Sequence, residues 1–140
     1  PRFGVVLSAR GGALARLLPV FRLGLGGSLG SGRQYMSWVD MDDLVQAVLF
    51  LLSREEFSGP VNVTSPNPVT NAEFTRTLAR VLGRPALFRV PAFALQVLLG
   101  EMAREALLSG QRVLPARLQA AGFQFRYPEL EASLRHALGR

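Results

Sequence analysis

The sequence predicts an α/β fold with an appended, mostly helical lobe. Three observations carry that expectation. Segments of strand pattern, an apolar run at 3–7 and an alternating or buried strand at 61–64, alternate with segments of helical period such as 41–52. Beyond Pro91 the helical period continues with little interruption. The 140 residues, 49% of them hydrophobic and 19% charged, suit one packed domain rather than a disordered chain.

Each element follows from its own residues. Phe3-Gly4-Val5-Val6-Leu7 is an unbroken apolar run, the pattern of a parallel strand buried on both faces. Such a strand needs neighbours beside it and helices over it. It also opens the sequence without any lead-in, so the chain reads as the C-terminal part of something longer. Residues 8–12 are expected to be loop. Residues 13–23 look helical, with Leu14, Leu17, Leu18 and Phe21 on one side, and Pro19 should kink that helix or end it early. Five glycines between Gly24 and Gly32 demand a loop. A short strand is expected at 35–39.

A helix follows over 41–52, where Leu44, Val45, Val48, Leu49 and Leu52 fall at helical spacing. Asp40, Asp42 and Asp43 crowd its start, where carboxylates cap N–H groups and meet the positive end of the dipole. Ser58-Gly59-Pro60 turns the chain into the strand at 61–64. Thr70-Asn71-Ala72-Glu73 fits a capping box, opening a helix that runs to Leu82 and stops at Gly83. A further strand at 86–90 precedes helices over 92–99, 101–108, 115–121 and 128–138, with an extended piece at 122–125.

Composition excludes several chemistries. The chain has no Cys and a single His, His136, so thiol chemistry and a structural zinc site lack their residues; no metal is expected. All 16 basic residues are Arg. Without Lys there is no Schiff base, no Walker-type phosphate loop and no Tyr-x-x-x-Lys pair in these residues. The net charge of +6 raises the question of nucleic acid. The arginines, however, are scattered singly from Arg2 to Arg140, whereas a phosphate-tracking stripe needs clustered charge, so no nucleic-acid partner is expected. No apolar run reaches the roughly 18 residues that cross a bilayer. No membrane partner and no secretory leader are read, and the cytoplasm is the expected compartment.

The glycine-rich stretch satisfies three motifs at once. Gly24, Gly27 and Gly30 spell G-x-x-G-x-x-G, and Gly26, Gly30 and Gly32 spell G-x-x-x-G-x-G. Both are dinucleotide signatures, but the mechanism requires a strand before the loop and a helix N-terminus after it. Here a Pro-containing helix precedes and poor helix former follows. Gly26-Gly27-Ser28-Leu29-Gly30 also matches G-x-S-x-G, with Ser28 as nucleophile, His136 as base and Asp40 as orienter in the order of the α/β-hydrolases. That elbow again needs strand, sharp turn, then helix. A serine hydrolase therefore stands as an alternative, and a flexible loop beside a binding cleft is the plainer reading.

Order and spacing from Arg2 to Asp43 then point to one family. Arg-Phe-Gly-Val-Val-Leu, Gly-Gly-Ala-Leu, Leu-Pro-Val-Phe-Arg-Leu-Gly-Leu-Gly-Gly, Gly-Ser-Gly-Arg-Gln-Tyr-Met-Ser-Trp and Asp-Asp-Leu resemble the epimerase-like branch of the extended short-chain dehydrogenases. Pro-Val-Asn-Val-Thr-Ser-Pro, Thr-Asn-Ala-Glu-Phe, Leu-Gly-Arg-Pro-Ala and Arg-Val-Pro agree. The tail, with Gly110-Gln111-Arg112-Val113-Leu114-Pro115 and Ala121-Gly122-Phe123-Gln124-Phe125, resembles that family's C-terminal domain of unknown function. The resemblance implies two regions: 1–88 as the C-terminal segment of the NAD(P)-binding, epimerase-type domain, and 89–140 as the family-specific C-terminal domain. It implies the C-terminal part of a Rossmann-type parallel sheet plus a mostly helical substrate lobe.

The same resemblance implies NADP(H) as cofactor of the intact parent and a Tyr-x-x-x-Lys catalytic pair upstream of Pro1, so no catalytic residue is expected here. Arg2 becomes a candidate contact for a pyrophosphate or 2′-phosphate, where a guanidinium can bind bidentately. Leu7 and Ser8 match the segment whose backbone passes the nicotinamide. Arg33, Gln34 and Trp38 match the lining of the substrate cleft, and Trp38 can equally be core. Nucleotide-sugar members carry an Arg where this chain has Met36, which implies a substrate other than a nucleoside-diphosphate sugar. Asp43 matches the family's helix-start aspartate and is expected to be an N-cap. The expected partners are a small organic substrate and the missing N-terminal Rossmann half, with a homodimer as a further candidate. The reading is a substrate-lobe fragment of an NADP(H)-dependent oxidoreductase or epimerase that does not turn over alone. A free-standing ligand- or partner-binding module is the alternative from a different class.

Overall fold

A computed structural model of the 140-residue chain describes residues 2–24, 26–29, 32–54, 59–84, 88–90 and 113–140. In chain order these hold β1 (Arg2–Phe3), β2 (Val5–Leu7), α1 (Gly12–Arg22), β3 (Gly27–Leu29), β4 (Tyr35–Met36), β5 (Trp38–Asp40) and α2 (Met41–Leu52). They continue with β6 (Asn62–Val63), β7 (Val69–Thr70), α3 (Asn71–Leu82), β8 (Phe88–Val90), α4 (Ala116–Ala120) and α5 (Leu130–Leu138). The helices expected over 92–99 and 101–108 lie outside the described residues.

The architecture is α/β, and its pairing is mainly parallel. β1 pairs with β6, β2 with β5 and β3 with β8 in parallel, while β4 and β7 run antiparallel. The single buried strand expected over 3–7 is instead two strands in different pairings. Gly4 donates its N–H to the Val63 carbonyl at 3.1 Å, and Val5 donates to the Ser37 carbonyl at 2.8 Å. A Cβ at position 4 would sit 2.8 Å from the Ser37 oxygen, so only glycine allows this close crossing. Phe3 is correspondingly 52% exposed, because β1 has β6 as its one ladder neighbour among the described residues.

Two further expectations change. The glycine-rich stretch is not all loop, since Gly27–Leu29 forms β3, with Ser28 opposite Arg89. Its partner lies far along the chain, so local glycine content could not reveal it. α1 also runs through Pro19 without ending there. Pro19 is exposed, and the lost N–H bond is outweighed by Leu14, Leu17, Leu18 and Phe21, all buried on the opposite side.

The main core joins Leu7, Met36 and Trp38 from the strands to the buried faces of α1, α3 and α5. A smaller cluster, on Ala47, Val61, Val63 and Leu118, is backed by Phe50, Phe123 and Phe125. Phe123 meets Phe50 and Phe125 edge-on, at centroid distances of 5.3 and 4.9 Å. α3 begins where its sequence says. Thr70 Oγ accepts the Glu73 N–H at 3.2 Å, and Gly83 closes the helix at φ +66.

Candidate functional site

The carboxyl ends of β2 and β5 come side by side, with Leu7 in register with Asp40. Asp40 ends β5 and caps α2. Its Oδ1 accepts the Asp42 N–H at 2.8 Å, and its Oδ2 accepts the Ser133 hydroxyl at 2.6 Å. Asp43, expected to be the N-cap, does something else. It is 2% exposed, and its two oxygens accept the backbone N–H groups of Arg126 and Tyr127 at 2.8 and 2.9 Å. Asp40 takes the cap because it is the last extended residue before the helix. Asp43, one turn in, points back under the C-terminal segment. A buried carboxylate with two backbone donors is a strong, charge-assisted tie.

Asp42 completes the group. Its Oδ2 lies 2.6 Å from His136 Nε2, while His136 Nδ1 lies 3.2 Å from the Tyr127 hydroxyl. The Tyr127 and His136 rings stack with centroids 4.3 Å apart. Asp40, Asp42 and His136 thus gather ligand-type atoms within 4.8 Å of one another, but each already has a protein partner. The arrangement is a polar latch between the start of α2 and α5. Other ties join residues 37–67 to the C-terminal segment. Ser37 Oγ accepts the Val113 N–H at 2.8 Å, and Ser65 Oγ and Asn67 Nδ2 donate to the Pro128 carbonyl at 3.1 and 2.8 Å.

Sequence reasoning missed Ser37, Ser65, Asn67 and Ser133. Their partners lie dozens of residues away. The one available signal was a small polar residue next to buried strand positions.

Beside the end of β2 is a cavity of about 430 Å³, walled by Val6, Ser8, Gly11, Gly12, Met41 and Leu44 among others. Ser8 Oγ accepts the Arg10 N–H at 3.2 Å, which shapes the turn into α1. Leu7 is buried in the main core and Ser8 is half-buried at the cavity. Arg2 is placed by its backbone opposite Asn62. The expected cleft residues fall in two environments. Arg33 is exposed and Gln34 half-buried, in a segment held to the first turn of α3. There the Gln34 and Gly32 carbonyls accept the Asn71 and Ala72 N–H groups at 2.8 and 2.9 Å. Trp38 is fully buried, and its indole N–H donates to the Asn67 carbonyl at 2.8 Å. It therefore belongs to the core. Met36 is likewise buried, 3.4 Å from Asn71 Nδ2.

The hydrolase alternative finds no support. Ser28 lies inside a strand rather than at a strand–helix elbow, and both ring nitrogens of His136 are engaged by Asp42 and Tyr127. Away from these groups, Arg80 bonds Glu131 at 2.6 Å, joining α3 to α5, and Arg135 bonds it at 3.1 Å within α5. Those hydrogen bonds hold the Glu131 carboxyl below its ordinary pKa. Among the described residues no helix is long and apolar enough to cross a membrane.

Comparison with known proteins finds relatives of one kind. An epimerase family protein of Mycobacterium tuberculosis (strain CDC 1551 / Oshkosh) is 49% identical over 139 residues, covering 99% of this chain and 46% of that protein. The crystal structure of human epimerase family protein SDR39U1 (isoform 2) with NADPH superposes with a TM-score of 0.89 at 40% identity, covering 99% of this chain and 47% of that one. Over nearly its whole length the chain is similar to part of these epimerase family proteins. Its sheet is the Rossmann-type sheet of those epimerases in part. Residues 90–137 match the family described as Domain of unknown function (DUF1731). A chloroplastic epimerase family protein of Arabidopsis thaliana is 46% identical over 134 residues, covering 96% of this chain and 38% of that protein. The chain thus spans about half the length, or less, of the epimerase relatives it matches.

Proposed function

We propose that this chain forms the substrate lobe and the closing edge of the sheet of an NADP(H)-dependent oxidoreductase or epimerase. The substrate would be a small organic molecule. The glycine fingerprint and the Tyr-x-x-x-Lys pair would lie in an N-terminal half, and this chain alone would not turn over. The likeness to the human protein that carries NADPH, over nearly the whole of this chain, supports the reading most directly.

The residues present suit one edge of a dinucleotide site and not the whole of it. Parallel strands end together at Leu7 and Asp40, the position where open α/β sheets take ligands. The cavity wall at Gly11 and Gly12 carries no side chain, which admits close approach. The glycine-rich stretch is interrupted by β3, so it does not form a strand–loop–helix cradle for a pyrophosphate. When bound, NADP(H) supplies or accepts the hydride. In this reading Arg2 offers a cation to its phosphates and the backbone at Leu7 and Ser8 borders its nicotinamide end. Arg33 and Gln34 line the substrate side, with Trp38 holding the strand behind them. Met36 is buried and uncharged, so it gives no grip on a diphosphate, in keeping with a substrate other than a nucleotide sugar. The functional boundary falls between residues 88 and 89, and the working compartment is the cytoplasm.

Sequencing the gene upstream of the codon for Pro1 tests this reading. A domain-length open frame with a strand, a glycine-rich loop and a helix start, followed by Tyr-x-x-x-Lys, is the expected result. An in-frame stop directly upstream, or a frame without that pair, would overturn it.

A further inference from the structure

The arginines are scattered along the sequence, but the fold gathers four of them on one face. Arg76 and Arg80 lie one turn apart on α3, about 6 Å along its axis. Both are exposed, opposite the side that buries Phe74, Leu78 and Leu82. Arg84 follows the Gly83 cap, and its N–H bonds the Ala79 carbonyl at 3.0 Å, which holds it at the end of the same helix. Across the seam with α5, Glu131 accepts from Arg80 at 2.6 Å and from Arg135 at 3.1 Å. One carboxylate thus serves two guanidinium groups that stay 59 and 43% exposed. The guanidinium groups of Arg76 and Arg84 have no hydrogen-bond or ion-pair partner among the described residues. Glu73 is the one acid of α3 itself. Positive charge therefore exceeds what this face can neutralise.

We infer that the exposed face of α3 and α5 binds an acidic protein segment, a helix that carries carboxylates one turn apart. Charge complementarity is the first argument, since a guanidinium fork takes a carboxylate bidentately. Spacing is the second. A partner helix with Glu at every fourth position repeats at about 6 Å, the separation of Arg76 and Arg80. Nucleic acid suits the face less well. α3 exposes no aromatic ring on which a base could stack, because its Phe74 is buried. Glu73 and Glu131 would also lie against a phosphate backbone charged about every 3.4 Å per strand. None of these residues lines the cavity beside β2, so the inference stands independently of the proposed function.

Fluorescence anisotropy tests it, with the 140-residue chain and a labelled helical peptide bearing Glu at every fourth position. Binding is expected at about 20 mM salt and should weaken at least about tenfold at about 200 mM, where exposed charges are screened. The same peptide with Gln in place of Glu should not bind. Arg76→Glu combined with Arg84→Glu should weaken binding about tenfold or more. Arg10→Glu combined with Arg54→Glu makes the same change in net charge at exposed positions elsewhere and should stay within about twofold. Far-UV circular dichroism checks that both pairs fold. Arg76→Gln combined with Arg84→Gln, which adds no negative charge, should still lose about threefold. Equal losses in the two charge-reversed pairs would assign binding to net charge and overturn the inference. So would equal binding of the Gln peptide, or no binding of the Glu peptide at low salt. A labelled DNA strand or duplex bound more tightly than the peptide, and released by Arg76→Glu with Arg84→Glu, would give the face to nucleic acid and overturn it as well.

Discussion

α2 and α3 are matched helices with opposite fates. Each has 12 residues, and each is opened by a side chain that accepts a backbone N–H of its first turn, Asp40 in one and Thr70 in the other. α3 is the more polar, yet it buries seven residues, including Phe74, Leu78, Val81 and Leu82. α2 is almost wholly apolar after Asp43, yet it buries only Asp43 and Ala47. Hydrophobic content therefore did not decide burial. α3 faces strands and helices that the chain itself supplies, namely α1, β3 and α5. α2 spends one side on the small cluster with Phe50 and leaves the other side open. Among the described residues, the α3 side is covered and the α2 side keeps an exposed apolar stripe.

Substitutions can break that contrast. Leu78→Ala in α3 removes a fully buried side chain and should cost about 2–5 kcal/mol in urea unfolding. Leu49→Ala in α2 should change the stability of the chain by about 0.5 kcal/mol or less, because Leu49 is mostly exposed. Equal costs at the two positions would refute the asymmetry. Asp43→Ala should cost about 2 kcal/mol by leaving two N–H groups of the C-terminal segment without their acceptor. Asp43→Asn should recover part of that loss, since its amide oxygen still accepts one of them. Thr70→Ala tests the better packed helix at its weakest point and should cost about 1 kcal/mol.

The smallest expected effect is electrostatic. The carboxyl of Glu131 is held below its ordinary value of 4.5 by hydrogen bonds from Arg80 and then Arg135. A depressed carboxylate adds stability that is complete above its unfolded pKa and is lost as pH falls through the folded one. Stability should therefore decline below about pH 4.5, and Glu131→Gln should flatten that part of the profile. The group is exposed, so the effect should also shrink in high salt.

The contrast also shows what the sequence could tell. α2 and α3 were legible at both ends because capping residues and period 3.6 are local signals. The α/β class was legible from apolar runs alternating with those helices. The sheet was not. Gly4 looked like one residue of a continuous strand, but the switch from β6 to β5 depends on Ser37 and Val63, which no local pattern reveals. β3 hid in glycines because its partner β8 lies far along the chain. Asp43 read as a cap from its place in the helix start, and its true partners, Arg126 and Tyr127, are set by the packing of the C-terminal segment. The stripe Met41, Val45, Leu49 and Leu52 was visible as helical period. Which side of that helix faced outward was not, because period alone cannot say where the core is.

NADPH titration followed by nucleotide fluorescence tests the account most directly, with the 140-residue chain alone and then with the remaining half of the Mycobacterium tuberculosis relative added. The account requires no saturable binding by the chain alone and saturable binding in the mixture. Micromolar NADPH binding by the chain alone would contradict it.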